Sequence, residues 1–213
     1  MKTAILAGTT GLIGGQLLEL LLKNDSYNRI VALSRRPIGM VHPKLTNLVL
    51  EFSEMEKYAA QLKGDDVFCC LGTTIAQAGS KEEFRKVDFE YPLSLAKITR
   101  NQGAEKFMLV TALGADKRSR IFYNRVKGEV EEAIGMVAFE VLHIFQPSML
   151  LGSRPQERQG EHMGQSVMKF LDILIPRKYK AIESSKVARA MVAIALQEID
   201  GTIFHESAEL QSY

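Results

Sequence analysis

The N-terminal segment constrains the fold of this chain more than any other stretch. An apolar run at 4–7 is followed directly by GTTGLIG at 8–14 and then by the strongly apolar QLLELLLK at 16–23. This order predicts a buried strand, a glycine-rich turn and a helix. Such a turn presents free backbone N–H groups at the positive end of the helix dipole, which suits the pyrophosphate of a dinucleotide. A glycine turn that binds nothing is the alternative.

The three glycines of this turn have separate expected roles. Gly8 permits the tight turn, Gly11 lets the backbone approach a phosphate, and Gly14 lets the helix pack closely against the strand. We therefore predict cofactor contacts along the whole turn and the start of the helix, from Gly8, Thr10, Gly11, Leu12, Ile13 and Gly14.

Strand-like and helix-like segments alternate along the rest of the chain, which indicates an α/β fold with a mainly parallel sheet. We predict a Rossmann-type, doubly wound parallel sheet in a single domain over 1–213, with 148–213 contributing a small C-terminal substrate cap. Further strands are expected at 29–34, 47–50, 66–71, 106–110 and 139–145, and further helices at 54–62, 81–101, 122–134, 167–175 and 184–197. Pro92 inside the long helix predicts a kink or a junction of two helices.

Composition and charge exclude several classes of protein. A length of 213 residues suits one full domain, and a net charge of +2 is too small to argue for nucleic acid as the main partner. No apolar stretch approaches the ~18 residues that span a bilayer, so we expect no integral membrane association. Cys69 and Cys70 are adjacent and are expected to be core residues of a strand without a mutual disulfide. These features favour a cytoplasmic location, and the four histidines show no metal-ligand spacing.

The residues after the second strand discriminate between the two nicotinamide dinucleotides. NAD-binding proteins tend to place Asp or Glu here, where it accepts hydrogen bonds from the ribose hydroxyls. This chain instead has Ser34-Arg35-Arg36. Guanidinium groups bind a 2′-phosphate that a carboxylate would repel, so we predict NADP rather than NAD. The predicted cofactor contacts are Ser34, Arg35 and Arg36, with Arg35 as the main one. The alternative is that the two arginines form only a solvated loop.

A second stretch of backbone is expected beside the cofactor. Ligands of open α/β sheets bind beyond the carboxyl ends of the strands, and the segment Leu71-Gly72-Thr73-Thr74 lies at that end of the fourth strand. Gly72 offers space for a close approach, and the threonine hydroxyls are candidate hydrogen-bond partners for a ribose. We predict that Leu71, Gly72 and Thr73 contact the cofactor.

A second pattern, Tyr123-Asn124-Arg125-Val126-Lys127, lies far downstream. Its spacing places a phenol and an ammonium one helical turn apart on the same face. A phenol has a reference pKa of about 10, too high for efficient proton transfer at neutral pH, and a nearby ammonium favours the phenolate. Because this spacing also arises by chance on solvated helix faces, the pattern gains its meaning from the cofactor turn that precedes it.

Six stretches carry a wider resemblance: GTTGLIG, DVFCCLGTT, FRKVDFEYPLSLAK, VTALGAD, FYNRVKGEVE and FQPSMLLG. In this order and spacing, over most of residues 1–160, the chain resembles the short-chain dehydrogenase/reductase superfamily. Within it, the chain is similar to the atypical, NAD-dependent epimerase/dehydratase-like branch that contains the HIV Tat-interacting oxidoreductase and its bacterial relatives. The tail beyond Ser166 supports the resemblance less.

The resemblance implies roles for individual positions. Tyr123 matches the proton-donating tyrosine, and Lys127 matches the lysine that lowers the pKa of that phenol and holds the nicotinamide ribose. Thr111 matches the hydroxyl residue, more often serine, that orients the substrate carbonyl. Pro147 and Ser148 match the segment that lines the nicotinamide. Asp88 falls where many relatives have the asparagine of a proton relay, and we do not count it as catalytic.

Three functions remain open from the sequence. The leading interpretation is an NADP-dependent oxidoreductase, monomeric or homodimeric, that moves hydride between nicotinamide and a small carbonyl or alcohol. The second is a non-catalytic NADP(H)-binding regulatory or redox-sensing protein, and the third is an isomerase or epimerase with a tightly held cofactor. The loop 152–164, with Arg154 and Arg158, is expected either to rim the substrate entrance or to be simply solvated.

Overall fold

A parallel sheet flanked by helices forms the frame of the protein in a computed structural model, which describes residues 1–152 and 176–213. The strands are β1 (Lys2–Ala7), β2 (Tyr27–Ser34), β3 (Leu45–Val49), β4 (Asp66–Cys69), β5 (Lys106–Val110), β6 (Val141–Gln146), β7 (Leu150–Leu151), β8 (Ile182–Glu183) and β9 (Gly201–Glu206). The α-helices are α1 (Leu12–Lys23), α2 (Ile75–Ala78), α3 (Lys81–Arg85), α4 (Tyr91–Asn101), α5 (Phe122–Gly135), α6 (Ser184–Ala195) and α7 (Ser207–Leu210). Two 3₁₀ segments (Phe52–Gln61 and Arg177–Tyr179) and a π-helical turn (Lys86–Glu90) complete the described elements.

Within the described residues the main sheet has seven strands in the order β3-β2-β1-β4-β5-β6-β9. Every neighbouring pair in it is parallel. The chain moves outward from β1 in one direction to β3 and then returns to β4 on the other side of β1. The predicted doubly wound Rossmann sheet is thereby confirmed, and its switch point lies between β1 and β4, where such sheets bind ligands.

The two faces of the sheet bury separate cores. Alternate residues of β1 divide between them, since Ala4 and Leu6 pack with α1 and α6, whereas Ile5 and Ala7 pack with α4 and α5. Cys69 joins the second core, and burial raises the pKa of its thiol to about 12. The thiol is therefore protonated at neutral pH, as suits a core residue rather than a nucleophile.

The C-terminal region extends the frame. The helix expected at 184–197 is present as α6, which packs against α1, but strand β9 was not predicted. Its alternation is weak because β9 lies at the sheet edge and leaves Phe204 half exposed. The expected helix at 167–175 and Arg154 and Arg158 lie outside the described residues, and the substrate cap stays a prediction. Among the helices that are described, none is long and apolar enough to cross a membrane.

Pro92 divides the predicted helix 81–101 into α3, a π-helical turn and α4. Proline has no backbone N–H to donate, and in the turn before it the Tyr91 N–H bonds the Lys86 carbonyl five residues back. This wider turn carries Asp88, whose side chain is buried. The predicted junction is thus confirmed, and it places an acidic group inside the protein.

Candidate active site

One edge of the sheet collects the residues that the sequence singled out. Because all strands of the main sheet are parallel, their carboxyl ends meet there. Gly8 follows β1, Arg35 follows β2 by one residue, and Gly72 lies beyond the end of β4. Thr111 follows β5 and Pro147 follows β6. The fold therefore brings the predicted cofactor and catalytic segments to the same edge.

Two of the three glycines in the turn are required by packing within the protein. Gly8 has a φ of +91°, and a Cβ there would lie 2.4 Å from the Cys70 carbonyl oxygen. A Cβ on Gly14 would lie 2.1 Å from the Gly8 carbonyl oxygen. At Gly11 the same atom would meet only the Gly8 oxygen, at 3.2 Å, so the protein itself nearly tolerates a side chain. The requirement at Gly11 is thus expected to come from a ligand.

The start of α1 fits an anionic group. No side chain caps its N-terminus, and its first turn holds no acidic residue. The buried Thr9 hydroxyl has no hydrogen-bond partner among the described residues, which marks a polar group available to a ligand. Free N–H groups, the helix dipole and this hydroxyl together suit a dinucleotide pyrophosphate.

The turn after β2 is shaped by Ser34, which the sequence placed in the cofactor site. Its buried hydroxyl donates to the Arg36 carbonyl at 2.7 Å and accepts from the Asn47 amide at 2.8 Å. Arg35 and Arg36 are exposed, and neither forms an ion pair with any carboxylate of the described chain. The two guanidinium groups are therefore available to a phosphate.

Lys127 forms an ion pair with Asp88, a residue that was not counted as catalytic from the sequence. Its ammonium lies 2.7 Å from the Asp88 carboxylate, and the side chains are only 6% and 0% exposed, respectively. The second Asp88 oxygen accepts from the Thr73 N–H at 2.9 Å. A Cβ on Gly72 would contact both partners, at 3.5 Å from Asp88 and 3.6 Å from Lys127. Asp88 thereby links Lys127 to the predicted cofactor segment 71–73.

Burial and charge act in opposite directions on this pair. Burial lowers the pKa of the Lys127 amine, but Asp88 and Tyr123 raise it by more, so its pKa lies above the ordinary value. Burial also raises the pKa of the Asp88 carboxyl, although Lys127 and the Thr73 N–H act to lower it. Lys127 is therefore a protonated, buried ammonium at neutral pH.

Tyr123 lies beside Lys127 on the same face of α5, as predicted. The ammonium is 5.9 Å from the centre of the Tyr123 ring. The ring packs against the buried Phe84 of α3, with centroids 5.5 Å apart. None of the hydrogen bonds within the described chain engages the Tyr123 hydroxyl. The contact with Phe84 thus positions the Tyr123 ring, and the hydroxyl is available to hydrogen-bond a ligand.

Gly128, next to Lys127 on α5, allows the loop between β5 and α5 to pack directly against the helix. A Cβ there would lie 2.2 Å from the backbone nitrogen of Lys117, in the loop between β5 and α5. Only glycine lets that loop pack directly on the helix beside Lys127. Gly128 was not predicted from the sequence, although a glycine inside a helix is itself a signal of close packing.

Thr111 and Glu131 form a second buried polar group at this edge. The Thr111 hydroxyl donates to Glu131 at 2.5 Å, and the Gln146 amide donates to the same oxygen at 2.9 Å. Burial raises the pKa of the Glu131 carboxyl above its ordinary value. Glu131 was also not predicted from the sequence, although it lies one helical turn beyond Lys127 on α5.

The Leu113 N–H donates to the carbonyl of buried Pro147 at 2.9 Å, which joins the loops after β5 and β6.

A model of the NAD dependent epimerase/dehydratase family matches residues 4–116, which is more than half of the chain. The chain belongs to this family. The match covers the glycine turn, the segment after β4 and Asp88, but it ends before α5. The resemblance found in the sequence is thus confirmed at the level of this family.

Two curated relatives are similar over most of their length. Protein HTATIP2 of Rattus norvegicus is 33% identical over 195 residues, covering 90% of this chain and 80% of the relative. Protein FMP52, mitochondrial, of Eremothecium gossypii is 32% identical over 216 residues, covering 98% of this chain and 96% of the relative. Both alignments extend well beyond the family match.

Solved structures share the fold at low sequence identity. The Bordetella bronchiseptica enzyme WbmH in complex with NAD+ aligns over 97% of this chain and 76% of its own, with a TM-score of 0.72 and 14% identity. MoeE5 in complex with UDP-glucuronic acid and NAD aligns over 95% and 75%, with a TM-score of 0.74 and 16% identity. These likenesses establish the Rossmann-like architecture with its parallel sheet.

Proposed function

We propose that this protein is an NADP-dependent oxidoreductase of the short-chain dehydrogenase/reductase type, acting on a small carbonyl or alcohol. The observation that carries the proposal is the pair on α5: a buried, protonated Lys127 next to a Tyr123 whose hydroxyl is uncommitted within the described chain. This pair lies at the same sheet edge as a glycine turn suited to a dinucleotide.

The residues around the turn would hold the cofactor. The free N–H groups at the start of α1 and the Thr9 hydroxyl suit the pyrophosphate, and Arg35 suits a 2′-phosphate. Gly72 leaves space above the Asp88–Lys127 pair, where the ammonium suits a ribose hydroxyl. When bound, the nicotinamide supplies or accepts the hydride of the reaction.

Tyr123 would manage the proton. In the direction of reduction, its hydroxyl donates a proton to the substrate oxygen as that oxygen gains negative charge. The Lys127 ammonium would stabilise the phenolate that remains, because it is almost enclosed and lies 5.9 Å from the centre of the Tyr123 ring, where water screens its charge only weakly. Phe84 holds the ring in place, so that the hydroxyl is the part of Tyr123 left for substrate.

A second candidate is a non-catalytic NADP(H)-binding regulatory or redox-sensing protein. It is favoured by the Thr111 hydroxyl, whose single proton is directed at Glu131 instead of at a substrate. A cytoplasmic location, a small-molecule substrate and a monomeric or dimeric state stay predictions under both candidates.

The test compares wild type with Tyr123→Phe in NADPH oxidation against a panel of small aldehydes, ketones and quinones. The variant keeps the ring on Phe84, so NADPH affinity is expected to persist while turnover falls by a factor on the order of 10²–10⁴. Tyr91→Phe, a half-buried tyrosine stacked on Phe52, is the matched control and should retain activity. Equal rates in wild type and Tyr123→Phe would exclude the proton-transfer role. Tight NADPH binding without any turnover by wild type would favour the second candidate.

A further inference from the structure

The turn that follows β2 is held at both of its ends. Ser34, its first residue, is buried, and its hydroxyl donates to the Arg36 carbonyl at 2.7 Å. Ile38, its last residue, packs its side chain against the core that α1 and α6 share. Arg35 and Arg36 lie between these two anchors and are exposed. The backbone that carries the two guanidinium groups is therefore fixed, although their side chains reach into solvent.

Asn47, on the neighbouring strand β3, contacts both ends of this turn. Its amide nitrogen donates to the Ser34 hydroxyl at 2.8 Å and to the Ala32 carbonyl at 3.1 Å. Its amide oxygen accepts from the Ile38 N–H at 3.0 Å. The orientation of the amide is fixed, because the Ala32 carbonyl needs a donor and the Ile38 N–H needs an acceptor. Both amide hydrogens are thus used within the protein.

Pro37 restricts the same turn from within. Its ring fixes its own φ, and it confines Arg36, the residue before it, to extended conformations. The two arginines are therefore presented by a backbone whose path is determined by Pro37, by the Ser34 hydroxyl and by the Asn47 amide.

We propose that Asn47 is a positioning residue for recognition of the 2′-phosphate of NADP. It would act through the turn, by holding Arg35 and Arg36 where the phosphate lies, and would not itself contact the cofactor. A ligand that meets groups already held in place loses less conformational entropy on binding, which raises its affinity. This role rests on the proposed function, since it takes NADP as the cofactor and the two arginines as its phosphate contacts.

The experiment measures dissociation constants of the full-length protein by calorimetry for NADP, NAD and 2′,5′-ADP, a fragment that carries the 2′-phosphate. Asn47→Ala removes all three hydrogen bonds of the side chain. We expect the affinities for NADP and 2′,5′-ADP to fall about fivefold, while the affinity for NAD stays within about twofold. The matched control is Asn28→Ala, an exposed asparagine near the other end of β2, which should leave all three affinities unchanged.

An Arg35→Ala/Arg36→Ala background separates positioning from other roles of Asn47. It leaves the turn without a guanidinium group to position, so the further change Asn47→Ala should alter NADP affinity by less than about twofold. A loss of the same size as in the native background would show that Asn47 acts independently of the arginines and would overturn the proposal. An NADP-to-NAD affinity ratio that Asn47→Ala leaves unchanged in the native background would overturn it as well.

If Asn47→Ala does not fold, Ser34→Ala provides the second test. It keeps the Asn47 bonds to Ala32 and Ile38 but releases the Arg36 carbonyl, so NADP affinity should fall about threefold and NAD affinity should persist. An unchanged ratio in this variant would contradict the positioning role. A wild type that binds NAD as tightly as NADP would instead contradict the cofactor assigned in the proposed function, so the two failures are distinguishable.

Discussion

The Thr111 hydroxyl donates a 2.5 Å hydrogen bond to the buried carboxyl of Glu131. A hydroxyl has a single hydrogen, so while it is given to Glu131 it is not available to a substrate carbonyl. The sequence-based prediction that Thr111 orients the substrate therefore competes with a structural role at the end of β5. The two roles give different results in the same pair of variants.

Thr111→Val removes the hydroxyl and leaves the buried Glu131 carboxyl with the Gln146 amide as its remaining partner in the described structure. We expect the free energy of unfolding to fall by about 1–3 kcal/mol, while Thr111→Ser keeps most of the stability. Urea unfolding followed by circular dichroism measures both. A Thr111→Val variant as stable as wild type but without turnover would instead support the catalytic role.

Substitutions at two glycines of the turn should have different effects, one on the stability of the fold and the other on cofactor binding. Gly14→Ala would place a Cβ 2.1 Å from the Gly8 carbonyl, so we expect a loss of stability of about 2 kcal/mol or more. Gly11→Val meets only a 3.2 Å contact and should fold, but its side chain would occupy the space expected for the pyrophosphate. Thermal unfolding and NADPH titration of both variants test this division. Unchanged NADPH affinity in Gly11→Val would remove the turn from the site.

Arg35 should determine the choice of NADP over NAD. Arg35→Ala removes a guanidinium that has no carboxylate partner in the described chain, so we expect NADP affinity to fall about tenfold or more. NAD affinity should change little, because NAD lacks the 2′-phosphate. Arg29→Ala, an exposed arginine nearer the other end of β2, is the control. Equal affinities of the wild type for NAD and NADP, measured by calorimetry, would show the assignment to be wrong.

His143 should make the stability of the fold depend on pH. It is fully buried on β6, with Nδ1 3.0 Å from His205 Nε2, and burial, together with the neighbouring His205 and Lys106, lowers its pKa to about 4. The unfolded chain, with an ordinary histidine pKa of about 6.5, then binds the extra proton between these two values. The contribution of the neutral His143 to the free energy of unfolding is therefore fully present above pH ~6.5. It falls by about 3 kcal/mol towards pH 4.

His143→Gln keeps a polar group facing His205 but does not titrate. The difference in unfolding free energy between wild type and this variant should therefore change between pH 7 and pH 4.5, as measured by urea unfolding. His42→Gln, outside the core, should follow the wild-type curve. Parallel pH profiles for wild type and His143→Gln would contradict the assignment.

Local sequence was enough to predict the elements that depend on neighbours in the chain. The first strand, the glycine turn and α1 form a contiguous pattern, and the spacing of Tyr123 and Lys127 places them on one face of α5 without any knowledge of the rest. Pro92 likewise predicted a break that appears as the π-helical turn. Strand β9 was missed because an edge strand need not bury alternate residues.

The sequence by itself determined the doubly wound fold and the segments that reach its carboxyl edge, because hydrophobic periodicity, glycine and proline act locally. Only the tertiary structure decided which side chains meet there. Asp88, in the π-helical turn, contacts Lys127 on α5, and Thr111, at the end of β5, contacts Glu131 on the same helix. Such contacts depend on the packing of distant elements. A charged side chain needs a partner only where the folded chain excludes water, and which residues are buried together is set by the tertiary structure.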